Sequence, residues 1–240
     1  MRRVRGRWLL LFSALGGLAC GSPDPVPAPA APKADPPEKN GYCRDKTPAL
    51  LAAAGEPAEP ATPLTEQAID GSACNAVERS YELTDSTHVM PCTPVEYSSN
   101  PPSSGHHYGN WPRYGVYQYA IPRGFWVHPM EHGGVVFTYS CTDCGDEVQA
   151  ATALVTDTAP APSCCDASGC PDTATNQLIL TPDPGIPTRW AAASWGFTLT
   201  ADCFEPDVFA GFVAAHRDSG KAPELVCYNT LNDVTQPGPE

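Results

Sequence analysis

Positive charge is scarce in this 240-residue chain: 14 Lys and Arg stand against 27 Asp and Glu, a formal charge of −13. Four of the positive charges, Arg2, Arg3, Arg5 and Arg7, fall in the first seven residues, so a chain cut after residue 19 would carry −17. A surface that acidic repels phosphate backbones, which hold proteins through Lys and Arg. Nucleic acid is therefore not an expected partner, and solubility is the plain reading of the acidity. Long apolar runs are also missing. The run from Trp8 to Leu18 is too short to cross a bilayer as a permanent helix. No internal repeat divides the chain.

What is present at the start is a basic head, that short apolar run, small residues and a cysteine, which together read as a secretory signal. Leu18-Ala19-Cys20 resembles the lipobox of bacterial lipoproteins, although Gly17 stands where the leucine three places before the cysteine is usual. The resemblance implies a signal peptide over 1–19 and a diacylglycerol thioether on Cys20. It also implies a mature protein held to the membrane by palmitate-like acyl chains, lipid-anchored and extracytoplasmic in a bacterial cell envelope. An ordinary cleaved signal is the alternative. With Cys20 assigned to lipid, ten of the eleven cysteines remain: Cys43, Cys74, Cys92, Cys141, Cys144, Cys164, Cys165, Cys170, Cys203 and Cys227. Ten can close as five disulfides in an oxidising compartment, with a connectivity that spacing does not give. Cys164 and Cys165 are neighbours, and a bond between them would be strained, so each should pair elsewhere. Cys141-Thr-Asp-Cys144 has the spacing of a thiol–disulfide exchange motif, but no thioredoxin-like pattern surrounds it and a structural disulfide is the expectation.

Residues 21–40 hold seven prolines and almost no large apolar side chain, the composition of an extended tether that cannot bury a core. Residues 41–80 are transitional, an extension that Cys43 and Cys74 could staple to the main domain. From 81 to 231 the composition turns globular, with four of the five tryptophans and all six histidines, and a short tail, 232–240, follows. Strands are expected over 114–121, 134–140, 177–181 and within 189–200, from their β-branched and aromatic runs. Helices are expected over 146–157 and over 205–220. The second carries Pro206 in its first turn, an apolar face of Val208, Phe209, Phe212 and Val213, and Gly220 as terminator. Strands and helices without regular alternation predict a single disulfide-rich α+β domain with a small mixed or antiparallel sheet and a late amphipathic helix.

Two histidine segments stand out. His128-Pro-Met-Glu-His132-Gly-Gly contains the His-x-x-Glu-His string of one class of zinc peptidase, in which two imidazoles hold the metal and the carboxylate activates water. That enzyme needs a long helix, whereas Gly133-Gly134 and the β-branched run behind them turn this chain into a strand. The stretch 97–117 is broken by Pro101, Pro102 and Pro112 and must be a loop. It carries Asn100, Ser103, Ser104, His106, His107, Tyr108 and Trp111, the polar and aromatic density that binding loops use. A well-ordered surface loop is the bland alternative. His106 and His107 are adjacent, so in an extended segment only one of them can face a site.

Taken together, His88-Val89, Asn100–Tyr108, Tyr114–Tyr117, Val127–Tyr139 and 193–224 resemble the bacterial family known as domain of unknown function 3105. Its hallmark is an Asn-x-Pro-Pro-x-Ser-Gly-x-His segment, then His-x-x-Glu-His-Gly, then a Trp-Gly strand leading to a helix that ends near Gly-Pro-Glu. The family usually has proline at the position of His106, so His107 is the matching histidine, and Lys221-Ala222 interrupts the usual Gly-Pro-Glu. The matched positions His88, His107, His128 and His132, with Glu131, form a candidate zinc or copper site, since neutral imidazole is the commonest metal ligand. Asn100, Ser104 and Tyr108 are candidate binding-loop residues beside it. The leading expectation is a non-enzymatic metal-binding module. A metal-dependent hydrolase with Glu131 as general base, and a metal-free structural cluster under Trp111, Trp126 and Trp195, stay open. His216, near a helix C-terminus, reads as a capping or surface group.

Overall fold

Val135-Val136-Phe137-Thr138-Tyr139 is β-branched or aromatic throughout and buried at every position, which marks a strand with structure on both faces. In the computed structural model, which describes residues 61–91, 93–171 and 174–227, it is the sixth of nine strands. In chain order the elements are β1 (Thr65–Ala68), β2 (Val77–Ser80), β3 (His88–Val89), β4 (His107–Tyr108) and β5 (Gly115–Val116). Two single-turn helices follow, α1 (Arg123–Trp126) and α2 (His128–Glu131). Then come β6 (Val135–Tyr139), α3 (Gly145–Asp157), a 3-10 turn at Pro162–Cys164, β7 (Leu178–Pro182), β8 (Trp190–Ser194), β9 (Phe197–Ala201) and α4 (Pro206–His216). Cys20, Cys43, Cys92, the signal and tether segments and the tail lie outside the described residues, and no helix among those described is long and apolar enough to cross a membrane.

Seven strands form one sheet in the order β1-β2-β9-β8-β6-β7-β5, and β3 pairs with β4 apart from it. The pairings from β1 through β9 and β8 to β6 are antiparallel, while β7 runs parallel to both β6 and β5. A parallel β6–β7 pair needs a crossover, which α3 supplies. The fold is α+β with a mixed sheet, as expected.

Alternation along the strands assigns the two faces. Val135, Phe137, Leu178, Leu180, Trp190 and Leu199 pack with Val148 and Ala151 of α3 and Phe209 and Phe212 of α4. Val136, Ile179 and Ala193 face the other way, under Tyr108, Phe125, Trp126, Met130 and Trp195. Both long helices cover one face; irregular chain covers the other. Four disulfides join described residues: Cys74–Cys203, Cys141–Cys144, Cys164–Cys227 and Cys165–Cys170. The adjacent Cys164 and Cys165 pair elsewhere, as strain requires, and Cys74 ties the β1–β2 hairpin to the chain beyond β9. That hairpin, from the segment read as an extension, is part of the main sheet.

Several expectations need correction. Regular pairing of the strand expected over 114–121 covers Gly115 and Val116; the Tyr117 amide still reaches the Leu180 carbonyl and Tyr119 forms a lone bridge, but the Ile121 amide donates to the Thr181 side chain. The late helix stops at His216, not Gly220. Asp218 takes a left-handed φ of 56°, and its amide donates to the Gly133 carbonyl, so the chain leaves the helix early to meet the His-Gly-Gly turn. His216 is neither cap nor surface: its spacing from Phe212 and Val213 puts it on the apolar face, buried and stacked 4.0 Å from Phe197. The loop 97–117 is no surface loop either, since Pro101 through Gly105 are all buried.

Candidate metal centre

The irregular face of the sheet is where the histidines meet. Parallel pairing of β3 with β4 sets His88 directly opposite His107, so both rings project to the same side. His107 and Tyr108 are both buried, and because neighbours on a strand face opposite ways, Tyr108 points instead against Phe125, its ring centroid 4.7 Å away. One helical turn, started by His128 with Pro129 in its first positions, places Glu131 below and brings His132 back beside His128. The following glycines are required by close approach. A Cβ on Gly134 would lie 2.7 Å from the Pro129 carbonyl, and one on Gly133, whose φ is 91°, would lie 3.2 Å from the Asp218 backbone. Only Gly-Gly lets the chain pass from this turn straight into β6.

The ligand atoms of His88, His107, His128 and Glu131 all lie within 4.8 Å of one another, a group that could hold a metal ion. His107 Nε2 is 3.0 Å and His88 Nε2 3.4 Å from Glu131 Oε2. His128 Nε2 and His132 Nε2 face each other at 2.9 Å. Glu131, His132 and Glu224 form a second, overlapping group. His107, His128, Glu131 and His132 are buried, whereas the His88 side chain is 49 % exposed.

Hydrogen bonds on the far side of each ring fix where the protons sit. His107 Nδ1 donates to the Gly105 carbonyl at 2.9 Å, His128 Nδ1 to the Tyr108 carbonyl at 2.6 Å and His132 Nδ1 to the Glu224 carbonyl at 2.8 Å. A carbonyl only accepts, so in each neutral ring Nδ1 carries the proton and Nε2 presents a bare lone pair. Burial holds His128 down at about 3, which keeps it neutral. Burial works against the Glu131 carboxylate, but His107 and Ser86, within bonding reach, outweigh it and hold the group at about 2, so it is ionised. In a ring with a single proton Nε2 therefore faces the cluster as a lone pair, and only a second proton on His107 lets it donate to the Glu131 carboxylate.

The aromatic cover is close. Trp111 lies 4.4 Å from the His128 ring and 5.0 Å from His132, Trp195 meets His107 edge-on at 5.9 Å, and His88 stacks on His128 at 4.6 Å. Trp126 belongs to the core beneath.

Of the five expected residues, His88, His107, His128 and Glu131 fall in one group, while His132 lies beside His128 and belongs to the overlapping group with Glu131 and Glu224. The other expected residues are not part of the cluster. His106 turns outward, its Nδ1 3.2 Å from the Thr87 carbonyl. Asn100 donates to the Gly185 carbonyl and accepts from Arg123, and the Ser104 hydroxyl accepts from the Thr84 amide. Tyr108 donates its hydroxyl to the Thr93 carbonyl and contributes only its backbone, which orients His128. Two residues escaped sequence reasoning: Ser86, beside Glu131, and Glu224, whose main chain orients His132. Glu224 closes the interrupted Gly-Pro-Glu segment, which was the available signal for it. The Cys141–Cys144 pair is a buried disulfide on the helix-covered face, remote in the fold from the histidines.

No curated protein and no solved structure matches the chain. A family model described as "Protein of unknown function (DUF3105)" matches residues 88–229, more than half of the chain. The match begins on His88 and takes in every residue of the histidine cluster, together with β3 to β9, α1 to α4 and Glu224. The chain is a member of the DUF3105 family.

Proposed function

We propose that this protein is a lipid-anchored, extracytoplasmic metal-holding module of the bacterial cell envelope, in which His88, His107, His128, His132 and Glu131 bind one zinc or copper(II) ion. The observation that carries the reading is the convergence of Nε2 lone pairs on an ionised carboxylate, each buried ring fixed by a backbone carbonyl on its other nitrogen. Outer partners of that kind orient metal-bound imidazoles. With one proton per ring, on the Nδ1 that each carbonyl engages, the His107–Glu131 and His128–His132 contacts both lack a proton, so a metal-free brace needs two extra protons in a buried cluster. One divalent ion supplies the same two positive charges and accepts the lone pairs directly.

The spacing supports the choice of ion. Zinc bonds of 2.0–2.1 Å in tetrahedral array set donor atoms about 3.3 Å apart, against the 3.0 and 3.4 Å from Glu131 to His107 and His88. Imidazole and carboxylate donors suit zinc and copper(II), while thiolate is not on offer, since the described cysteines near and far are paired as disulfides. Binding is favoured over hydrolysis because Glu131 is buried and faces two imidazoles. A general base must instead reach a water beside the substrate. The test is metal content of the purified full-length protein by mass spectrometry, with His107→Ala and His128→Ala as comparisons. One ion per chain, lost in both variants, is the expected result; metal-free protein that takes up neither zinc nor copper refutes the proposal.

A further inference from the structure

The four imidazoles nearest the carboxylate are not equivalent, and their asymmetry points to one side of the site. His107, His128 and His132 are buried, and each is braced through Nδ1 by a main-chain carbonyl. His88 is different in three independent respects. Its side chain is 49 % exposed. Its Nδ1 has no hydrogen-bond partner among the described residues, its recorded contacts being Nε2 with Glu131 and ring contacts with His107 and His128. And it sits on a strand of two residues paired only with β4, outside the seven-stranded sheet.

Resting on the metal-holding reading above, we infer that His88 is an exchangeable ligand and that the site passes its ion to, or takes it from, an incoming imidazole on a partner protein that replaces His88. In the exchange the incoming nitrogen donates its lone pair as His88 Nε2 withdraws its own. The ion keeps its oxidation state, and His107, His128 and Glu131 hold it until further donors of the partner displace them one by one; loading is the same sequence in reverse. The braced rings lose little freedom on binding and so form the half of the site displaced last. His88 must be ordered each time the ion arrives, which makes it the ligand that costs least to remove. Its exposed edge is also the side from which a donor on another molecule can approach without unpacking Trp111 or Trp195.

The test uses His88→Ala in the full-length protein, loaded with copper(II) or zinc, with transfer of the ion to a chromogenic chelator followed over time. The variant is expected to keep one ion per chain, held by His107, His128 and Glu131, with an affinity reduced less than in His128→Ala. It should release the ion faster than wild type, and millimolar free imidazole should restore tight binding by filling the vacated position. His106→Ala, a neighbouring exposed histidine turned the other way, should behave as wild type. Should the His88 variant lose its ion as completely as His128→Ala, or gain nothing from imidazole while wild type stays loaded, the exchange role falls and the metal reading stands. Wild-type protein that binds no ion overturns both.

Discussion

Replacing Glu131 with glutamine changes one oxygen for an amide nitrogen at nearly constant shape, and the metal and brace readings give it opposite signs. If the metal-free His107 carries one proton, on the Nδ1 that the Gly105 carbonyl engages, its Nε2 lone pair lies 3.0 Å from Glu131 Oε2 with no proton between ring and carboxylate. A glutamine amide donates there, adding a hydrogen bond worth about 0.5–1.5 kcal/mol and removing a buried charge. The metal-free variant should therefore melt at the wild-type temperature or a few degrees above it. Metal binding should suffer, because an ion then loses its one buried anionic partner. Breaking a buried charge pair costs about 3–5 kcal/mol, on the order of 10²- to 10⁴-fold in affinity. Differential scanning calorimetry with and without zinc reads both effects. At a thousandfold excess over Kd, zinc stabilises wild type by about 4 kcal/mol, roughly 8–16 °C for a domain of this size. In Glu131→Gln most of that shift should vanish. A metal-free variant destabilised by several kcal/mol, with no zinc shift in wild type, would refute the reasoning and leave an imidazolium–carboxylate brace.

Other outcomes follow from the same geometry. Gly124→Ala would set a Cβ 2.5 Å from the Tyr108 ring. Overpacking of about 1–3 kcal/mol should appear in thermal unfolding, together with weaker metal binding, since the Tyr108 carbonyl orients His128; an unchanged melting curve would contradict the packing. Replacing both Cys74 and Cys203 opens a loop of 129 residues and should cost about 5 kcal/mol, whereas replacing Cys141 and Cys144, separated by 3, should cost only about 2. Denaturant unfolding of the two double variants checks that order. Copper(II) should quench tryptophan fluorescence through Trp111, 4.4 Å from His128, and Trp195, 5.9 Å from His107, and His128→Ala should lose most of that quench; equal quenching in both proteins would place the ion elsewhere.

His128, His132 and Glu131 were legible in residue type and spacing, and alternation allowed only one of His106 and His107; the family resemblance selected His107 and added His88. The helices and central strands were legible by spacing as well, their apolar periods being long enough to read. What failed were features set by distant chain. His216 lies on a helix face whose apolar partners were identified, yet its burial depends on Phe197 from β9. The end of α4 is decided by a bond from Asp218 to Gly133, 85 positions away in sequence, and not by the nearer Gly220. Asn100 and Ser104 looked available because loops usually face solvent; here Arg123, Gly185 and Thr84 engage them. The asymmetry of His88 had no sequence signal at all, since it arises from a two-residue pairing and from a missing carbonyl partner.

The central claim concerns which atoms meet a metal, and X-ray absorption at the metal edge of the zinc- or copper-loaded full-length protein reads them most directly. The account predicts a shell of nitrogen and oxygen at about 2.0–2.1 Å, outer-shell scattering from at least three imidazoles, and no sulfur. Loss of that imidazole signal in His128→Ala would tie it to this cluster. A spectrum dominated by sulfur, or by a shell of water oxygens without imidazole, would contradict it.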